Sequence, residues 1–385
     1  MTHKEPTTIV MVAGEASGDL HGAHLIRALG KYRGSGLRVR GMGGREMRAA
    51  GADILVDADQ VAVVGITEVI SKMPRLLKAM SQIKQLLSDA RPALLILIDF
   101  PDFNLHLARY AKKLNIPVLY YISPQLWAWR AKRVKKIKAR VDHMAVILPF
   151  EENFYKQHGV PVTFVGHPLM DAANLPAARN ATAPGPGQPP VVALLPGSRD
   201  REVQGLLPIM LQAGRMLQAE IGPVSFLISC APSIDMTLVR NILDQEQLEQ
   251  TRITTAPVRE LLPSCHLAIV ASGTVTLEGA ICTTPMVITY VVSPLSYRLG
   301  KALVSVAHIG LVNLIADRRI VPELVQQEAT PEAICEAVRA IISDPKVYAD
   351  MCKDLTKVRN RLGASGASEK VARIACELMG HDDAL

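Results

Sequence analysis

What this chain lacks narrows what it can be. No stretch approaches the roughly 20 consecutive apolar residues of a membrane-spanning helix, and the first apolar run, Ile9 to Ala13, is too short for a signal peptide. The six cysteines form no C-x-x-C pair and have no histidine at zinc-site spacing. All six lie in the second half and read as reduced thiols of a cytosolic protein. No G-x-G-x-x-G follows the first strand, which argues against a dinucleotide cofactor. Aromatic residues make up only 4%, so the cores must be aliphatic. One segment lacks charge of one sign: no acidic residue occurs between Val69 and Gln85.

What remains is ample for folding. At 385 residues the chain suits two domains, and 49% hydrophobic with 21% charged residues argues against disorder. A net charge of +7 favours an anionic partner: nucleic acid, acidic lipid or a phosphorylated substrate.

The organising stretch is Leu267–Ile281. Leu267–Ala271 has the uniform apolarity of a strand buried on both faces of a parallel sheet. Ser272, Gly273 and Thr274 break it, and Val275–Cys282 reads as a helix. Backbone N–H groups in such a turn, with the helix dipole, form an anion site. Glu278, one helical turn past Thr274, faces the same mouth and can accept from a ribose diol. An ordinary βα turn with a capping Thr and a solvated Glu would have the same sequence; these residues alone do not choose. Val191–Leu195 followed by Gly197, Ser198 and Arg199 reads as a second strand–turn–helix anion site.

The same alternation runs through the first half. Thr7–Ala13 is a strand, followed by a tight turn over Gly14-Glu15-Ala16-Ser17-Gly18-Asp19 and a helix over 21–30. Val39–Gly44 gives the next strand. Ala93–Phe100 is the strongest strand here and ends in Asp99-Phe100-Pro101-Asp102-Phe103-Asn104. Asp99 at a strand's carboxyl end is well placed for chemistry, Asp102 reads as a turn residue, and Asn104 as a cap for a helix over 105–114. Strands at 117–123, 141–150 and 162–166 complete the half.

Two basic regions stand out. Residues 61–87 interleave apolar positions, among them Val69, Met73, Leu76 and Leu77, with lysine and arginine. That pattern suits a membrane surface or an acyl chain, although for most of the apolar positions a helix packed on its own domain is the better fit. Trp127 and Trp129 precede a basic helix over 130–140, which nucleic acid, a phosphorylated substrate or anionic lipid would each explain. Residues 171–190 are rich in Pro, Gly, Ala and Asn and read as a linker. The implied division is 1–170, the linker, 191–345, and C-terminal helices over 346–385 that return to the first domain. Asn313 lies in an irregular stretch.

The motifs Gly14–Asp19, Ile98–Asn104, Tyr121–Arg130, Val165–Pro168, Leu195–Arg199 and Ala271–Glu278, in this order, resemble lipid-A-disaccharide synthase. The resemblance extends to about residue 326. One departure is Gly310-Leu311-Val312-Asn313, where the family pattern is Ser-Leu-Pro-Asn. The resemblance implies an α/β fold of two Rossmann-like domains with parallel sheets facing a deep interdomain cleft. It implies transfer of 2,3-diacylglucosamine from its UDP derivative onto 2,3-diacylglucosamine 1-phosphate, giving a β-1,6 disaccharide and UDP, with no cofactor. In that reading Asp99 is the general base. Gly197, Ser198, Arg199, Ser272, Gly273, Thr274, Glu278 and Asn313 hold the nucleotide. Glu15, Ser17, Gly18, Asp19, Trp129 and Arg130 line the acceptor side, and Val69, Met73, Leu76 and Leu77 meet acyl chains. The partners would be the two acylated sugars and an anionic membrane, on the cytoplasmic face of the inner membrane, and not nucleic acid. A UDP-sugar epimerase of the same architecture is the nearest rival, but has no use for an acyl-binding surface. A non-enzymatic nucleic-acid- or lipid-binding protein leaves Asp99 and the paired turns unexplained.

In this reading helix N-termini and Arg199 stabilise the leaving UDP without a metal, although Asp57-Ala58-Asp59 superficially matches the D-x-D of metal-dependent transferases. Turnover is therefore expected to survive excess EDTA; loss of activity restored by Mg²⁺ or Mn²⁺ would overturn this.

Overall fold

The computed structural model describes residues 6–33, 36–60, 66–129, 133–171, 183–185, 187–292, 297 and 307–380. The chain divides into two units, residues 1–171 with 362–385, and residues 172–361. Most of the linker over 171–190, and Arg130, lie outside the described residues.

The first unit is a seven-stranded parallel sheet of β1 (Thr7–Ala13), β2 (Leu37–Gly43), β3 (Asp53–Asp57), β4 (Leu94–Ile98), β5 (Val118–Tyr121), β6 (His143–Val146) and β7 (Val162–Phe164), in the order β3-β2-β1-β4-β5-β6-β7. Its helices are α1 (Ala16–Arg33), α2 (Arg45–Ala49), α3 (Ile66–Ala90), α4 (Pro101–Lys113), α5 (Leu126–Trp129), α6 (Val134–Lys138) and α7 (Pro149–Gln157). The second unit has six parallel strands, β8 (Val191–Leu195), β9 (Ser225–Ser229), β10 (Thr251–Thr254), β11 (Leu267–Ala271), β12 (Met286–Tyr290) and β13 (Glu323–Val325), ordered β10-β9-β8-β11-β12-β13. It contains α8 (Asp200–Ile221), α9 (Met236–Glu246), α10 (Val258–Leu261), α11 (Val275–Cys282), α12 (Leu311–Ala316), α13 (Pro331–Ser343) and α14 (Pro345–Arg361). A last helix, α15 (Ala367–Leu378), belongs to the first unit.

Successive strand residues point to opposite faces, and the aliphatic strands feed two cores at once. Ile9, Met11, Ala13, Leu94, Ile96 and Ile98 pack with α1 and with Val371, Ala372 and Ala375 of α15. Val10, Val12, Leu95 and Leu97 pack with Ile83 and Leu87 of α3 and Leu107 and Ala108 of α4. All six cysteines are free and buried, four of them in helices.

The C-terminal segment is shared differently from the sequence expectation. Helix α14 stays with the second unit: Tyr348 donates to the His266 carbonyl at 2.8 Å, and Arg359 to that of Ile281 at 2.9 Å. The boundary therefore falls at 361/362 rather than 345/346. Asp171 is an anchor of the first unit. Its carboxylate accepts the N–H groups of Gly366, Ala367 and Ser368 at 2.8, 3.0 and 3.2 Å, and so holds the start of α15.

Other local expectations shift for physical reasons. Helix α1 begins at Ala16, so Ser17, Gly18 and Asp19 lie in its first turn rather than in a loop. Gly18 permits close helix–strand packing: a Cβ there would sit 3.3 Å from that of Ala13. The apolar run over 141–150 is a strand only to Val146, because Pro149 opens α7. The basic helix expected over 130–140 is described only from Val134 to Lys138. Asn104 lies inside α4, which starts at Pro101, and does not cap it.

Candidate functional site

In each sheet the strand order reverses beside the first strand of the unit, between β1 and β4 and between β8 and β11. The βα loops on either side of such a point diverge and leave a crevice at the carboxyl ends of the strands. Four of the six motif loops singled out from the sequence, those after β1, β4, β8 and β11, occupy these places.

In the second unit, a pocket of about 360 Å³ is lined by Gly197, Ser198, Arg199 and Glu202 after β8, Ser272, Gly273, Thr274 and Glu278 after β11, and Ser229 and Val258. Gly197 has φ 120°, a conformation other residues resist, and the Glu202 side chain fills the space a Cβ would need. From there Glu202 accepts the Ser198 N–H at 3.1 Å and Arg199 Nη1 at 2.9 Å, fixing the loop. Glu202 was not singled out from the sequence; its place three residues past Arg199, at helix-start spacing, is the signal that marks it. Across the pocket, the N–H groups of Gly273, Thr274 and Val275 bond no described residue and stand at the N-terminus of α11. They form an open set of anion donors. The Glu278 carboxylate lies 3.5 Å from Arg259 Nε. Burial raises its pKa above the ordinary carboxylate value, while Arg259 beside it acts in the opposite direction. The arrangement can take an anion at the amides and Arg199 and a hydrogen-bond donor at Glu278.

Asn313 reaches this pocket only indirectly. It is fully buried in α12, and its amide is saturated. Nδ2 donates to the Val321 carbonyl at 3.0 Å and to Glu323 Oε1 at 2.8 Å, while Oδ1 accepts the N–H groups of Ile320 and Val321. Glu323 in turn accepts the N–H groups of Ile309 and Gly310, and the Ile309 carbonyl accepts the Ser272 hydroxyl at 3.3 Å. Asn313 thus braces the loop that supports Ser272. Val312, at the family's proline position, is the second residue of a regular short helix, where either residue fits.

In the first unit, Asp99 directly follows β4 with φ 46°, and Phe100 comes next with φ 50°. The Phe100 ring lies over Gly14, whose missing side chain leaves the room. Burial, with the Glu15 carboxylate adding to it, pushes the Asp99 carboxyl up to about 6. Glu15 and Ser17 are exposed beside it. Asp19 is buried and spent on structure: its carboxylate accepts the N–H groups of Gly44, Glu46 and Met47 at 2.6, 2.9 and 3.1 Å, at the start of α2. Asp102 pairs with Arg133 at 2.6 Å. Trp127 donates to the buried Glu151 at 3.1 Å, and burial pushes that carboxyl up to about 7. The side chains of Trp129 and Val69 lie outside the described residues.

The apolar basic stretch splits in two. Met73 is 42% and Leu77 63% exposed on α3, whereas Leu76 packs against the core. Among the described residues no helix is long and apolar enough to cross a membrane, and no three His, Cys, Asp or Glu side chains gather as a metal site.

Two Rossmann-like units of this kind make up the fold of a class of glycosyltransferases. MurG of Acinetobacter baumannii matches over 97% of this chain and 99% of its own, with a TM-score of 0.62 at 14% identity. The fold is shared with a UDP-GlcNAc 2-epimerase of Neisseria meningitidis, which matches 96% of this chain and 100% of its own with a TM-score of 0.65 at 13% identity. Sequence settles the family. The model of Lipid-A-disaccharide synthetase matches residues 9–376. Lipid-A-disaccharide synthases of Syntrophus aciditrophicus and Geobacter metallireducens are 46% and 43% identical, each over 97% of this chain and 98% and 97% of their own length. The chain belongs to the lipid-A-disaccharide synthase family and is a glycosyltransferase of lipid A biosynthesis.

Proposed function

We propose that the enzyme is an inverting transferase that moves 2,3-diacylglucosamine from UDP onto the 6-hydroxyl of 2,3-diacylglucosamine 1-phosphate. The observation that carries this reading is Asp99: a half-buried carboxylate at the crevice of the first unit, with its carboxyl held near 6. Asp99 takes the acceptor hydroxyl proton as that oxygen attacks the anomeric carbon. The bond from that carbon to UDP breaks on the opposite face, the configuration inverts, and UDP leaves with the electron pair. The amides of residues 273–275 and Arg199 stabilise the charge growing on the diphosphate, and Glu278 holds the ribose diol. Glu15, Ser17 and Gly18, with Trp129 and Arg130, belong to the acceptor side in this reading. Asp19 contributes by fixing the neighbouring loop, as Asn313 does for the donor side.

Asp99→Asn keeps size and removes the base, so turnover should fall by roughly 10²–10⁴-fold with UDP affinity unchanged. The base must be ionised, so wild-type turnover should rise with pH through about 6 and level off above it. Near-normal turnover in the Asn variant would remove Asp99 from the mechanism.

Glu278→Ala and Arg199→Ala are each expected to weaken UDP binding by about 1–3 kcal/mol, the value of a charge-assisted hydrogen bond. Unchanged calorimetric affinity in both would place the nucleotide elsewhere.

The enzyme works at an anionic membrane surface in this reading, with Met73 and Leu77 entering the interface and Lys135, Lys136 and Lys138 near the head groups. Each basic residue adds about 1 kcal/mol, screened by salt. In a flotation assay the protein should rise with anionic vesicles at low salt and stay behind at high salt, less so after Met73→Ser with Leu77→Ser. Indifference to anionic vesicles at every salt concentration would refute the surface role.

A further inference from the structure

The backbone around Asp99 is unusual. Two consecutive non-glycine residues, Asp99 and Phe100, are left-handed, with φ 46° and 50°. Such conformations are strained and persist only when the surroundings over-determine them. Here they redirect a side chain. Along β4, Leu94, Ile96 and Ile98 face one core and Leu95 and Leu97 the other. An extended Asp99 would follow that alternation and turn its carboxylate toward the core of Leu95 and Leu97. The left-handed turn breaks the alternation at the end of the strand.

What holds the turn is one main-chain atom. The Asp99 carbonyl accepts Tyr120 Oη at 2.6 Å and Asn104 Nδ2 at 2.6 Å. The same Nδ2 also reaches the Ile98 carbonyl at 3.2 Å, which fixes the amide orientation, since a flip would set its oxygen against two carbonyl oxygens. On the other side the Asp99 N–H donates to the Tyr121 carbonyl at 3.1 Å. Tyr120 and Asn104 are completely buried, so water cannot replace either donor. Burial, with the Asp99 carboxylate adding to it, pushes the Tyr120 phenol well up, and it stays a donor. The Phe100 ring completes the arrangement, packed over Gly14 and 5.3 Å from the ring of Phe103.

We propose that Tyr120 and Asn104 are positioning residues for the transfer reaction, aiming the Asp99 carboxylate by clamping its main-chain carbonyl. The inference rests on the reading of Asp99 as the base. Each acts through the Asp99 main-chain carbonyl rather than through substrate.

Asn104→Ala removes two bonds from a buried site and can fail to fold, so Tyr120→Phe is the decisive variant: it deletes one hydroxyl and keeps the ring. Steady-state kinetics with detergent-solubilised acylated donor and acceptor, thermal melting, and the same substitution in an Asp99→Asn background are compared. Misplacing a base by a fraction of an ångström should lower kcat by about 10- to 100-fold with both KM values unchanged. In the Asp99→Asn background Tyr120→Phe should add little further loss, because no base remains to be aimed. Wild-type kcat in Tyr120→Phe, or the same fold-loss with and without Asp99, would overturn the positioning role. Near-normal turnover in Asp99→Asn alone is a separate outcome: it removes the base, and the clamp's catalytic role with it.

Discussion

The reversal of strand order is the constraint on which the rest depends. A parallel sheet that grows in both directions from its first strand must send neighbouring loops apart at one place. In this chain it does so twice, between β1 and β4 and between β8 and β11. Backbone groups at those strand ends are beyond the reach of the ladder and need other partners. The two units answer differently. In the first, the protein satisfies its own crevice: the Phe100 ring covers Gly14, Asp19 takes three amides, and Tyr120 and Asn104 take the Asp99 carbonyl. The half-buried Asp99 carboxylate remains at the crevice. In the second, the amides of residues 273–275 bond no described residue and line the same pocket as Arg199. A crevice that offers a carboxylate suits a proton acceptor, and one that offers open donors suits an anion.

The division between what the sequence reveals and what it hides follows range. Strands buried on both faces announce themselves by unbroken apolar runs, and β1, β8 and β11 begin and end where the sequence places them. Short, half-exposed strands such as β3 and β13 carry no such run and escape notice. The motif loops are legible because glycine and serine between strand and helix have few other uses. The roles within them are not. Asp19 looks like part of a phosphate-type turn, but its partners are Gly44, Glu46 and Met47. Asn104 sits where a cap is expected, yet its amide turns back onto the strand end. Asn313 reads as part of an irregular segment and is instead buried in a short helix against Glu323. Each of these pairings joins segments that no local pattern connects.

Charge is legible in amount but not in use. Part of the basic excess is spent internally: Arg133 pairs with Asp102, Lys112 with Asp142, and Arg140 donates to the Leu105 carbonyl. Lys135, Lys136 and Lys138 remain exposed on α6, while Val134 and Ile137 turn into the core. The apolar stretch on α3 divides in the same way, with Leu76 inward and Met73 and Leu77 outward. A helix that packs with one stripe has another to present elsewhere, so the core and surface readings of such a segment apply to different residues of it.

The carboxylates show the same economy and separate the structural from the chemical. Asp19 and Asp171 each accept three backbone N–H groups at a helix start, and Glu323 accepts two together with the Asn313 amide. Lone pairs committed to that many donors are not available to a substrate proton. Asp99 has only the Phe100 amide acting to lower its pKa, and burial with the Glu15 charge outweighs it. Among the described residues Glu278 has a single cation, Arg259, at 3.5 Å. Among the described residues these two acids find few partners, and both stand at a strand-order reversal. An under-satisfied carboxylate in a crevice costs stability that an ordinary surface position would not. Retaining two of them where the sheets open is intelligible when substrate supplies the missing partners: a hydroxyl proton at Asp99 and a ribose diol at Glu278.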